Sequence, residues 1–185
     1  MSILPGVVLT LVVASAPAQQ RFVPAVAQTY GDEESESGAV FATAITLPPN
    51  IVMAPEYDEL VDAMLRLSPT FRAQCSRIAR ASGLRVTVRR SLLAPSQSAL
   101  TRMVRQHGRL EAEVEIGPFG DVIVLVAHEF EHIVEQLDGV DLASMAGRSG
   151  TGVRADPKTG HFETERAIAI GQRVAREASR AVARR

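Results

Sequence analysis

Leu84, Val86 and Val88 alternate with Arg85, Thr87 and Arg89, a period of two that predicts a strand with one apolar and one wet face. Leu110, Ala112, Val114 and Ile116 alternate in the same way with Glu111, Glu113 and Glu115 and predict a second strand. Between them, Leu100 to Gln106 reads as a further strand, turned by His107-Gly108 into the Leu110–Ile116 strand as a hairpin. Elsewhere the period is helical. Leu60, Val61, Met64 and Leu65 share a helix face, and Ser68-Pro69 supplies an N-cap and first-turn proline for a second helix ending near Gly83. Asp121 can cap a long helix running to Gly139, with an apolar stripe of Ile123, Val126, Phe130, Ile133, Val134 and Leu137. After a loop rich in Gly, Ser and Asp, a last amphipathic helix starts near His161, and Arg180, Arg184 and Arg185 complement its dipole. Such elements make an α+β domain with a short mixed sheet.

The N-terminus follows neither period. Ile3 to Ala14 is almost wholly apolar yet short for a bilayer span, and Ala16 and Ala18 form a small-x-small site. A signal peptide over residues 1–18 is expected, with the mature chain starting at Gln19, although no Lys or Arg precedes the run. A membrane anchor or a buried apolar strand is the alternative. From Gln19 to Pro55 the chain is rich in Ala, Pro, Ser and Gln, with an acidic knot at Asp32, Glu33, Glu34 and Glu36. Residues 19–55 are therefore expected to be a disordered tether and residues 56–185 the folded domain. The expected location is secreted or periplasmic, with no stable membrane span after signal cleavage.

Composition narrows the chemistry. A chain of 185 residues, 46% hydrophobic, fits one globular domain. Twenty basic and 21 acidic residues give a net charge of −1, so the chain lacks the overall field of a nucleic-acid binder. Ten arginines and no acid lie between Met64 and Leu110, and nine acids and no Lys or Arg between Glu111 and Asp141. Arginines facing water beside acidic neighbours are expected, and no nucleic-acid partner, because Phe71 is the basic stretch's one aromatic residue. The single cysteine, Cys75, excludes an internal disulfide and a multi-thiolate zinc knuckle. Metal chemistry must use His and carboxylates.

Both are present. Val126-Ala127-His128-Glu129-Phe130-Glu131-His132 places an HExxH motif within the predicted long helix. Histidines at i and i+4 lie about one turn apart on one face, where two imidazoles can meet one tetrahedral zinc while Glu129 reaches a water on the metal. The pair is expected at the rim of the apolar stripe, facing a cleft. Downstream, with the last helix opening at Phe162, Glu163 heads a face shared with Ala167, Ile170, Val174, Ala178 and Ala181, and Glu165 points the opposite way. A carboxylate on an apolar face must be paired or bind a metal. Glu163 is thus the favoured third ligand, and His161 a substitute ligand or a donor to the reaction's oxyanion.

From Leu110 to about Ala178 the chain resembles the zincin metallopeptidases in their gluzincin pattern, an HExxH helix followed by a second helix that donates a glutamate. The resemblance implies a small zincin-like domain in which His128, His132 and Glu163 bind zinc and Glu129, as general base, activates water to hydrolyse a peptide or protein substrate. It also implies that Leu110–Ile116 is the edge strand along which an extended peptide aligns. Neither the Asn-Glu pair of thermolysin-like enzymes nor the Glu-x-x-Ala-Asp of other branches is present. The metzincin Gly and His are missing too, and Val134 replaces the glycine that would let Asp138 reach a metal. For the transition-state donor the candidates are His161, Tyr57 and Arg154. The alternative to an exported peptidase is a non-catalytic zinc-binding or envelope-associated structural protein that keeps the helix pair.

Overall fold

A computed structural model describes residues 8–11, 45–93, 97–106, 109–155 and 161–182, with only the backbone described at 8–11, 106 and 180–182. In chain order the elements are β1 (Val8–Leu11), β2 (Ile51–Met53), α1 (Asp58–Leu67), α2 (Pro69–Ala79), β3 (Leu84–Arg90), β4 (Ala99–Gln106), β5 (Arg109–Ile116), α3 (Val122–Leu137), α4 (Leu142–Met145), β6 (Val153–Ala155), β7 (Phe162–Thr164) and α5 (Glu165–Val182). Among the described residues the strands make one mixed sheet of order β2-β3-β5-β4-β1-β7-β6. The architecture is α+β, as the periodicities predict.

The sheet's two faces follow from the alternation. Leu84, Val86 and Val88 of β3, Ala99 and Met103 of β4, and Ala112, Val114 and Ile116 of β5 are buried in the main apolar cluster with residues of α1, α2, α3 and α5. On the opposite face Arg89 Nε lies 2.7 Å from Glu113, and Glu115 accepts from both Arg89 and Arg102. Those arginines therefore answer the acids of the neighbouring strand. β4 and β5 pair antiparallel with Gln106 opposite Arg109, which leaves a two-residue connection at 107–108, itself outside the described residues.

Local signals set the helix starts. The Ser68 hydroxyl accepts from Phe71 N at 3.0 Å with Pro69 in the first turn, and Asp121 accepts from Ile123 N at 2.9 Å. Glu177 of α5 accepts from the Ser68 and Thr70 hydroxyls, pinning α5 to the start of α2. Burial works against its carboxylate, but these hydrogen bonds outweigh it and hold the carboxyl below its ordinary range.

Four expectations are corrected. The span 19–55 is not wholly a tether, because Ile51–Met53 pairs parallel with β3 and the Asn50 amide donates to Ile78 O and Leu84 O. A three-residue strand behind two prolines is too short to show a period. Residues 19–44 lie outside the described residues. The last helix starts at Glu165 rather than near His161: Phe162–Thr164 is a strand, and Thr164 caps the helix by accepting from Ala167 N at 2.9 Å. Third, β5 is no edge strand, since it lies between β3 and β4. Finally, the histidines of α3 do not stand at a rim. Every residue from Leu125 to Glu135 is buried, because the helix is enclosed by β4, β5, α1, α2 and α5.

The α3–α5 contact depends on one glycine. A Cβ on Gly171 would stand 2.8 Å from Val124 O and 3.3 Å from His128 Cβ, so the helices cross closer than any side chain permits. Gly171→Ala gains about 1 kcal/mol in helix propensity but forces backbone apart, and overpacking of this kind costs about 1–3 kcal/mol. Denaturant unfolding should show a net loss of stability. A gain of about 1 kcal/mol, the propensity value alone, would mean that the crossing is loose.

Candidate metal centre

His128 and His132 lie one turn apart on α3, and their Nε2 atoms converge to 3.0 Å with both residues buried. Glu163 of β7 meets them from the far side, its Oε1 lying 3.2 Å from His128 Nε2 and 3.8 Å from His132 Nε2. The three side chains form a group able to hold a metal ion, their ligand atoms all within 4.8 Å of one another. A tetrahedral ion with bonds of about 2.0–2.1 Å has ligand atoms about 3.3 Å apart. The observed separations bracket that value.

The strand, not a helix face, positions Glu163. Antiparallel pairing of β7 with β6 sets Glu163 opposite Arg154, and Thr164 N donates to Glu163 Oε1 at 2.9 Å. Glu163 thus meets the two histidines, although from the strand preceding the helix expected to carry it.

Glu129 lies between the two histidines in sequence and is fully buried. Its Oε2 accepts from the Thr101 hydroxyl on β4, while Oε1 is buried without a hydrogen-bond partner. A buried carboxylate oxygen left bare is costly. Burial pushes the Glu129 carboxyl up, and the neighbouring histidines and the Thr101 hydroxyl only partly oppose this.

His132 has a defined orientation. Its Nδ1 lies 2.9 Å from Glu135 Oε2, and in the tautomer that donates Nδ1–H to this oxygen the Nε2 lone pair is left for the group. Burial works against the protonated ring. The Glu135 hydrogen bond and the charges of Glu129, Glu135 and Glu163 outweigh it, so the imidazole pKa is raised in the metal-free chain.

The other candidates separate. His161 is half-buried immediately before β7, and Arg154 is exposed across the strand pair from Glu163. Tyr57 is packed in the main apolar cluster. Asp138 is paired with Arg77 at 3.0 Å and Arg166 at 3.3 Å, and Glu165 is exposed. Cys75 is buried with its thiol pushed up to about 12, which removes it from thiolate chemistry. Thr101, Glu135 and Thr164 were not anticipated. Glu135, three residues after His132, was open to the same helix-spacing logic as the histidines, and Thr164 to a search for N-caps. Thr101 is placed only by the sheet.

Metal binding requires a bare Nε2, so protons compete for His132. A raised imidazole pKa stabilises the metal-free fold below the unfolded-state value, and that contribution is lost as pH rises through the folded value. Metal acts in the opposite sense. The increase in Tm produced by added zinc should shrink as pH falls from about 8 toward about 6, starting above the ordinary imidazole value of about 6.5. An increment independent of pH across that range would place the ion elsewhere.

The chain matches no known protein-family model, no curated protein sequence and no solved structure.

Proposed function

We propose that this chain is an exported, zinc-dependent metallopeptidase of zincin-like type, with zinc held by His128, His132 and Glu163 and with Glu129 as the general base. One observation carries this reading: a fully buried glutamate, one oxygen fixed by Thr101 and the other unpartnered, next to two histidines whose Nε2 atoms converge on a second carboxylate. Two imidazoles and a carboxylate suit zinc and leave a fourth position open, and the bound ion would supply Lewis acidity toward water and a peptide carbonyl.

The chain's own residues supply the remainder. Glu129 takes a proton from the attacking water at Oε1 and hands it to the leaving amine, while Thr101 keeps Oε2 from turning into that path. A carboxyl raised by burial is a stronger base than an exposed one, which suits this role. His161, two residues before Glu163, and Arg154, opposite Glu163 in the β6–β7 ladder, are the candidate donors to the carbonyl oxyanion. The substrate is a peptide or protein. Support for export is the apolar run Ile3 to Ala14 with the small-x-small site at Ala16 and Ala18, and Val8–Leu11 within that run is a strand beside β4. N-terminal sequencing of the chain made in its own host should begin at Gln19, whereas an intact Met1 assigns β1 to the working protein.

Burial of both histidines favours a second reading, a non-catalytic structural zinc site. Glu129→Gln separates the two. It should keep zinc content and Tm near wild type while lowering cleavage of an unfolded-protein substrate by about 10²–10⁴-fold. Failure of the wild type to cleave any member of a broad peptide library while holding zinc tightly would leave the structural reading standing.

A further inference from the structure

We propose that Glu135 is a positioning residue of the centre, holding His132 in its metal-binding tautomer and tying it through Thr164 to the strand that carries Glu163. This rests on His128, His132 and Glu163 being a metal site. Glu135 is 2% exposed, and both of its oxygens are used. Oε2 faces His132 Nδ1 at 2.9 Å, and Oε1 accepts the Thr164 hydroxyl at 2.7 Å. Thr164 in turn accepts from Ala167 N with that hydroxyl and donates its own backbone N–H to Glu163 Oε1. A continuous chain of contacts thus runs from the second ligand to the third through Glu135 and Thr164.

The neighbouring glutamate shows why this arrangement is not merely structural. Glu131, one turn earlier on α3 and equally buried, is neutralised by Arg166 at 2.6 Å and bonded to Gln74 at 2.7 Å. Glu135 forms no ion pair with Lys or Arg among the described residues, and Arg166 acts on it only through longer-range charge. A buried carboxylate whose direct partners are a hydroxyl and an imidazole is poorly compensated when that imidazole is neutral. It becomes well compensated when the imidazole's far nitrogen binds a cation, because the carboxylate then raises the ligand's basicity and shares its charge.

Zinc affinity of the full chain, measured by competition with a chromogenic chelator, and 15N NMR of the His132 ring test the proposal. The wild-type ring should be protonated at Nδ1. Glu135→Gln keeps an acceptor for that proton but loses the charge, and should bind zinc about 10-fold more weakly with the tautomer unchanged; Glu135→Leu should approach a 100-fold loss with the tautomer released. Glu131→Gln, the control for a structural role, should lower Tm without changing zinc affinity of the folded chain. Should Glu135→Leu fail to fold, Glu135→Gln carries the test alone. Wild-type affinity in the Gln variant, or a wild-type ring protonated at Nε2, overturns the positioning role and leaves the metal site intact. A wild type that takes up no zinc overturns both.

Discussion

Everything around α3 answers one constraint: a helix carrying His128, Glu129, Glu131, His132 and Glu135 runs through the interior of the domain with all five side chains buried. Ionisable groups are tolerated there only when each has a partner. Glu131 draws Gln74 from α2 and Arg166 from α5. Glu129 draws Thr101 from β4, and Glu135 draws Thr164 from the end of β7. The partners come from α2, α5, β4 and β7. Satisfying α3 thus aligns the sheet, α2 and α5 against one another, and the close crossing at Gly171 brings α5 near enough to take part. After this pairing, Glu129 Oε1 still has no hydrogen-bond partner among the described residues, and the Nε2 atoms of His128 and His132 face each other and Glu163.

The uneven charge of the sequence has the same kind of explanation. The stretch rich in arginine and the stretch rich in acids lie beside each other in the fold: Arg89 and Arg102 meet Glu113 and Glu115 across β3, β5 and β4, and Arg77 meets Asp138 at the end of α3. Exposed pairs of this sort contribute little stability singly. Their effect is to leave the outer sheet face mixed in sign rather than basic.

Periodicity made the regular parts legible. β3, the β4–β5 hairpin, α2 with its Ser68 cap and α3 with its Asp121 cap follow from alternation, helical spacing and capping residues, and the HExxH spacing placed His128 and His132 together before any fold was known. Glu163 was chosen from a helical wheel that does not apply, since Thr164 ends a strand and caps the helix one residue later. The choice still fell on the residue that meets the histidines. Thr101 could not be found this way. It is one residue in a strand whose inward side is otherwise apolar, and only the packing of β4 on α3 gives its hydroxyl a partner.

The central claim is that two imidazoles and a carboxylate of this chain bind one zinc ion. X-ray absorption at the zinc edge, on the purified chain loaded with one equivalent, tests it most directly. The account predicts a first shell of two imidazole nitrogens with oxygens at about 2.0–2.1 Å and no sulfur, since the buried Cys75 takes no part. A shell containing sulfur, a shell with no imidazole, or zinc that washes away without loading would contradict it.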